Sequence, residues 1–401
     1  MKFVTADLPG IGGSYKETPT DFEVEEIPLY PCCGSGDHLY LWIEKNGIST
    51  SELINRLARA LRLKENDIGY AGLKDSRALT RQWLSIPAAK QPQLDNLQLN
   101  NARILDVQRH TNKLRLGHLG GNRFSIRLHQ LKPGAAPLAE AILEQLHQRG
   151  VPNRFGEQRY GVLGNSAILG QLLLGGDHEE FCRELLGDPQ KIQHPGWKKA
   201  ALAYRQRQLE QALKELPGAM RLEQRLLHDL LQGKSHKQAV YGLPKQRLRF
   251  FLSALQSRYF DQLLDARIAA LGKLKDGDIA YKHANGACFL VASTELEQPR
   301  ADSFEISPTA PLFGHKVMLA AGAPGTAEKE LLNAADLTLD SWKPAPGLAM
   351  PGERRPLRVP LELAKIVSAT ADSLTLEFAL PKGSYATSVL AELMKSAHES
   401  P

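Results

Sequence analysis

Apolar positions along the chain change period several times, and each change marks an expected element. Phe22 and Val24, then Leu39, Leu41 and Ile43, alternate with polar residues as half-buried strands do. With Gly34-Ser35-Gly36-Asp37 between them, they predict a hairpin over 22–30 and 38–44. The period then lengthens. Leu53, Ile54, Leu57 and Leu61 recur at helical spacing behind Ser49-Thr50-Ser51-Glu52, which predicts a capped helix over about 50–62. A tight Gly69-Tyr70-Ala71-Gly72 segment and the charged turn Lys74-Asp75 lead into a short strand over Gln82–Ile86. Further strands are expected at Ile104–Val107, Leu114–Leu116 and Phe124–Leu128, separated by turns at His110-Thr111-Asn112 and Gly120-Gly121-Asn122. Leu138, Ile142 and Leu146 predict a helix over 137–149, stopped by Gly150.

From 165 to 270 the pattern is helical and poor in strands, with Leu209, Leu213, Leu226, Leu227, Leu230 and the run from Phe250 to Leu264 as its clearest amphipathic stretches. Strand character returns at 287–292, then at Leu363–Val367 and Leu374–Leu380 around an Ala371-Asp372 turn. Between 320 and 355, frequent Gly, Pro and Ala predict loops around one or two short helices. A helical block bracketed by sheet-forming segments is what insertion into a host domain produces. The expected fold class is therefore α/β (α+β), with a helical domain set into a sheet-bearing one.

Length agrees: 401 residues exceed the roughly 250–300 at which single cores divide. No apolar run reaches the roughly 18–20 residues of a membrane span, and the N-terminal residues lack the apolar stretch of a secretory leader, so a cytoplasmic location is expected. The four cysteines (Cys32, Cys33, Cys182, Cys288) have neither disulfide-framework nor metal-ligand spacing, and no metal or cofactor is expected. A Gly-rich phosphate loop with its Lys-Ser/Thr, a Gly-x-Ser-x-Gly elbow and a His-Glu-x-x-His motif are all missing from the sequence. The formal charge of +6 favours a polyanionic partner, and its distribution sharpens the point. Residues 198–250 hold twelve Lys/Arg against four Asp/Glu, a local +8.

Three constellations could carry chemistry. Lys74-Asp75, followed by Thr80 and Gln82, sets a carboxylate beside a cation, a hydroxyl and an amide; a solvated surface turn has the same composition. Lys113-Leu114-Arg115-Leu116-Gly117 and Gly121-Asn122-Arg123-Phe124-Ser125-Ile126-Arg127 put Asn122 and Phe124 on one strand face, an amide and a ring suited to a base, or plain core. Asn153-Arg154-Phe155-Gly156-Glu157-Gln158-Arg159-Tyr160-Gly161 interleaves arginines with aromatics, as phosphate and base contacts do, and equally as a packed hinge does.

Six segments occur in the order characteristic of one family. They are Lys16–Glu25, Ala71–Asp75 with Thr80-Arg81-Gln82, Lys113–Arg127, Asn153–Gly161, Ser307–Gly314 and Leu380–Thr387. Across nearly its whole length the chain resembles the TruD family of tRNA pseudouridine synthases. The resemblance implies a V-shaped molecule: a pseudouridine-synthase catalytic domain with a mixed or antiparallel sheet from residues 1–154 and 311–401, and an inserted, largely helical TruD domain over 155–310. It implies Asp75 as nucleophile, with Lys16, Lys74, Thr80, Gln82, Asn122 and Phe124 in support, and conversion of a tRNA uridine, at position thirteen, to pseudouridine. RNA contacts are expected from Arg115, Arg123, Arg127, Arg154, Phe155, Arg159, Lys198, Lys199, Arg205 and Arg207. Partners are then tRNA, with no membrane and no obligate protein partner, the chain acting as a monomer. The sequence departs conservatively from the family pattern at Ala310 and Tyr385, which touches loop packing. A non-catalytic RNA-binding protein or tRNA chaperone of the same fold, and a metal-free RNA-cleaving enzyme, are the rival readings.

Overall fold

A computed structural model gives the fold of residues 1–95 and 97–395. Its contacts divide into two compact units: residues 2–151 with the chain from 359 onward, and residues 152–358.

The first unit begins with β1 (Gly12–Tyr15), β2 (Phe22–Pro28) and β3 (His38–Asn46), then α1 (Thr50–Leu61). Ser49 caps α1 by accepting the Glu52 N–H at 3.1 Å, and Arg62 ends it in the left-handed region at φ 52°. The stripe Leu53, Ile54, Leu57, Leu61 is buried against Leu39, Leu41 and Ile43 of β3 and, from the next long strand, Leu84 and Ile86. After β4 (Gly69–Tyr70) come β5 (Leu79–Pro87), β6 (Ala102–His110), β7 (Leu119–Leu131) and α2 (Ala135–Arg149), closed at Gly150 as its sequence predicts.

The chain crosses at β8 (Val151–Pro152) into the second unit. Seven helices follow: α3 (Ser166–Gly175), α4 (His178–Leu186), α5 (Pro195–Arg205), α6 (Leu209–Glu215), α7 (Arg221–Leu231), α8 (His236–Tyr241) and α9 (Lys245–Ala266). Gly170 of α3 lets it lie against α9 so closely that a Cβ there would sit 2.3 Å from the Phe251 carbonyl oxygen. Then come β9 (Ile279–Lys282), β10 (Cys288–Leu290), α10 (Thr294–Asp302), β11 (Ile306–Leu312), α11 (Gly322–Asn333) and β12 (Glu353–Pro356). The strands form a sheet in the order β10-β9-β11-β12. The insertion thus ends at 358, not 310. Phe313, Val317, Leu332, Trp342 and Leu348 enter the same core as Leu169, Phe181, Leu226 and Leu252, so the Gly/Pro-rich stretch belongs with the helices.

The return through β13 (Arg358–Val359) leads to β14 (Glu362–Ala369), β15 (Ser373–Pro381) and α12 (Ala386–Met394). The first unit's sheet runs β14-β15-β7-β2-β5-β3-β6, with β1 added on β7 and β4 on β5. Only β2 with β5 is parallel, so the sheet is mixed and both chain ends build it. Its partners differ from the predicted hairpin: β5 lies between β2 and β3. Alternation determines which face of a strand is buried, not which strand lies beside it. Leu114–Leu116 is a loop, while Gly120-Gly121-Asn122, expected as a turn, is inside β7. There Gly121 serves close approach, since a Cβ would meet the Leu380 carbonyl oxygen at 2.3 Å.

One phase of the sheet is buried: Phe22, Val24, Leu41, Ile43, Leu84, Phe124, Ile126, Leu376 and Phe378. The other is polar, with Arg81 near Glu23, Glu25 and Glu44, and Arg103 on Glu44. Among the described residues no helix is long and apolar enough to cross a membrane.

Candidate active site

The loop between β4 and β5 carries Asp75, and its backbone is pegged from several sides. The Lys74 N–H donates to Thr50 Oγ1 at 2.9 Å, and Thr50 in turn donates to Gln82 Oε1 at 2.9 Å, tying the loop to the start of α1 and to β5. Lys45, at the end of β3 and wholly buried, donates to the Asp75 carbonyl and to the Ile48 carbonyl, each at 2.6 Å. The Gly117 N–H donates to the Ala71 carbonyl at 2.8 Å, which docks the 113–118 loop beside it. An ordered carboxylate needs such an over-determined backbone.

The Asp75 side chain keeps 30% of its surface. Its Oδ2 accepts from the Lys16 ammonium, and its Oδ1 from the Arg77 N–H at 2.9 Å. Lys16 follows β1 in the left-handed region at φ 64°, and its ammonium lies 4.2 Å above the centre of the Phe22 ring. Burial pushes the Asp75 carboxyl up, but the Lys16 and Arg77 hydrogen bonds and the charges of Lys16 and Lys45 outweigh it, holding the group below its ordinary value. At neutral pH Asp75 is therefore an ionised carboxylate with part of its surface accessible.

Lys74 points elsewhere. Its ammonium donates to Asn122 Oδ1 at 2.7 Å and lies 3.0 Å from Glu26 Oε2, with 5% of the Lys74 side chain and 1% of that of Glu26 exposed. Asn122 and Glu26 face each other across β7 and β2. Burial raises the Glu26 carboxyl, against the pull of the Lys74 charge. Phe124, 5% exposed, packs edge-on to Phe22 at 6.2 Å and against Phe378 at 5.4 Å, so its ring stiffens the floor under Lys16. Thr80 and Gln82 are fully buried beneath the loop; Thr80 Oγ1 and Gln82 Nε2 find no hydrogen-bond partner among the described residues.

The structure therefore brings Lys16, Lys74, Asn122 and Phe124 together around Asp75 and its loop. The expected RNA contacts divide. Arg115 is exposed in the loop docked at Ala71. Arg123 and Arg127 project from β7 on the phase opposite to Asn122 and Phe124, with Arg123 3.9 Å from Glu25, because side chains alternate along a strand. Arg154 and Phe155 are turned inward, contrary to expectation. Arg154 pairs with Asp265, and Phe155 packs on Phe260 at 5.8 Å under Arg355 at 4.3 Å. Arg159 donates to the Ser253 and Ser257 hydroxyls, and Tyr160 donates to Asp261 Oδ2 at 2.6 Å. This motif is part of the second unit's core, where arginine planes and aromatic rings stack on each other. Lys198, Lys199, Arg205 and Arg207 are exposed, as a phosphate-binding surface requires.

Sequence reasoning missed Glu26 and Lys45, although both leave a signal. Each continues a buried alternation, Phe22-Val24-Glu26 and Leu39-Leu41-Ile43-Lys45, so a charge falls where the pattern calls for an apolar residue. Such a charge is either paired or functional.

Residues 1–393 match the family model described as tRNA pseudouridine synthase D (TruD). The chain belongs to the tRNA pseudouridine synthase D family. It is 52% identical over 395 residues to the tRNA pseudouridine synthase D of Syntrophotalea carbinolica, covering 98% of this chain and 99% of that one. It is 38% identical over 397 residues to that of Thermus thermophilus, covering 98% and 92%. A crystal structure of a tRNA pseudouridine synthase D from Methanosarcina mazei superposes with a TM-score of 0.83 at 26% identity, covering 99% of this chain and 96% of that one. The family fold, a synthase domain from both chain ends around a largely helical insertion, is thus the fold of this chain. Among the described residues no group of three or more His, Cys, Asp or Glu is arranged to hold a metal ion.

Proposed function

We propose that this protein converts a uridine of tRNA, at position thirteen, to pseudouridine, with Asp75 as the nucleophile. The observation that carries the reading is an ionised, partly exposed Asp75 held by Lys16 on a loop fixed at Lys74, Asp75 and Ala71. The reaction breaks the N1–C1′ bond and forms C5–C1′, while a proton leaves C5 and one arrives at N1. It exchanges no electrons overall. Asp75 supplies the carboxylate that attacks C6 or C1′, or takes the C2′ proton, each a route to a detached base held in place. Lys16 keeps that carboxylate ionised in the free enzyme, ready to react.

Taking a base out of a folded tRNA costs about a few kcal/mol of stacking. We assign the compensating phosphate contacts to Lys198, Lys199, Arg205 and Arg207 of the second unit and to Arg115 of the first, all exposed. The buried Arg154 and Phe155 are excluded from that set. The test is to treat two tRNA transcripts, one with uridine and one with cytidine at position thirteen, and map pseudouridine by sequencing. Product at position thirteen of the first alone is expected. Product at another position would overturn the site assignment, and strand scission without an isomerised base would overturn the reaction.

A further inference from the structure

We infer that Glu26 and Lys74 act as positioning residues that fix the side-chain amide of Asn122 so that its NH2 group faces the substrate and reads the O4 oxygen of the target uracil. This deepens the proposed function and rests on it.

A lysine ammonium only donates, so the atom of Asn122 that meets Lys74 at 2.7 Å must be the carbonyl oxygen Oδ1. An amide whose oxygen is engaged from one side presents its NH2 to the other. Nδ2 has no hydrogen-bond partner among the described residues, and Asn122 is partly open to solvent. Lys74 cannot swing away, because its side chain is 5% exposed and its ammonium is anchored by Glu26 at 3.0 Å. Glu26 is itself opposite Asn122 in the β2–β7 ladder, so the carboxylate, the ammonium and the amide are set by one strand pair and one pegged loop.

A fixed donor discriminates pyrimidines. Uracil offers an acceptor at O4, whereas cytosine offers an amino donor at the same place. With the amide locked, a cytosine would set two donors face to face, and the wrong base is rejected because a buried polar group is left unpaired. A freely rotating asparagine would turn its oxygen to cytosine and lose that selectivity.

The test compares the affinity of the full-length protein for tRNA transcripts carrying uridine or cytidine at the target nucleotide. Wild type is expected to favour uridine by about tenfold or more, the range of one good base-edge contact. Asn122→Asp keeps the shape and the Lys74 partner but replaces the donor by an acceptor, so the preference should vanish or invert toward cytidine. Lys74→Met frees the amide to rotate, so the preference should shrink toward unity, and Lys74→Arg, which restores a buried donor, should recover part of it. A structural role alone would lower both affinities together and leave the ratio unchanged. An unchanged ratio in Asn122→Asp, or no preference in wild type, would overturn the inference. Failure of the underlying function shows separately, as no pseudouridine from wild type on the uridine transcript.

Discussion

Replacing Lys45 by methionine probes how the loop that carries Asp75 is held. The ammonium donates to the Ile48 and Asp75 carbonyls at 2.6 Å each, with no exposed surface. Bonds from a charged donor are worth about 1.5–3 kcal/mol each, whereas keeping an ammonium out of water costs several kcal/mol. Lys45→Met loses the bonds and sheds the desolvated charge, so the net stability loss should be about 1–3 kcal/mol. The larger effect is on position: a shift of about 1 Å in a reacting group costs on the order of 100-fold in rate, and kcat should fall by about that factor. Burial lowers the Lys45 ammonium to about 8, against the pull of Asp75 and with the help of Lys74. The cation is therefore present below that pH and lost above it. Wild-type activity should show an alkaline fall near pH 8, and Lys45→Met a low plateau without it. Stability moves the other way. The folded pKa lies below the ordinary 10.5, so between about 8 and 10.5 the unfolded chain binds more protons, and this group's contribution rises with pH by up to about 1.4 kcal/mol per unit. Alkaline inactivation would then occur without unfolding. Tritium release from C5-labelled tRNA and far-UV circular dichroism across the same pH range measure the two. Wild-type kcat and an unshifted alkaline limb in Lys45→Met would refute the reasoning.

Other consequences follow from single contacts. Glu392, 2% exposed, accepts from the Val4 N–H at 2.9 Å and from the Thr5 N–H and hydroxyl at 3.1 and 2.7 Å. Glu392→Ala should cost about 3 kcal/mol, read as a lower urea midpoint. Gly121→Ala forces β15 away from β7 beside Asn122; stability should fall by more than about 2 kcal/mol, seen as a reduced Tm. Neutralising the exposed Lys198 and Lys199 as the double Gln variant should weaken all tRNAs alike and flatten the salt dependence of log K by about one unit per lysine, with kcat unchanged, measured by filter binding.

What the sequence made legible was local. The α1 stripe and its Ser49 cap, the Gly150 stop and the β14–β15 hairpin all stand where period and turn chemistry put them, because each depends on neighbours in the chain. What depended on distant partners was not legible. Alternation in β2 and β3 could not reveal β5 between them. Arginines and aromatics at 153–161 have the composition of an RNA surface, yet Asp261, Asp265, Ser253 and Ser257, about a hundred residues on, draw them inward. The Lys74–Asp75 turn has by composition alone the look of a solvated surface; the resemblance set Lys16 beside Asp75, and the fold adds Lys45 from beneath. Glu26 and Lys45 were visible only as charges in an apolar phase.

The most direct test of the account is pseudouridine formation by Asp75→Asn beside wild type on the same tRNA transcript. The amide keeps the size of the carboxylate and an oxygen for Lys16, so the fold and tRNA binding should persist. The account predicts that isomerisation falls by more than about 1,000-fold, as loss of a nucleophile does. Pseudouridine formed by Asp75→Asn at the wild-type rate would contradict it.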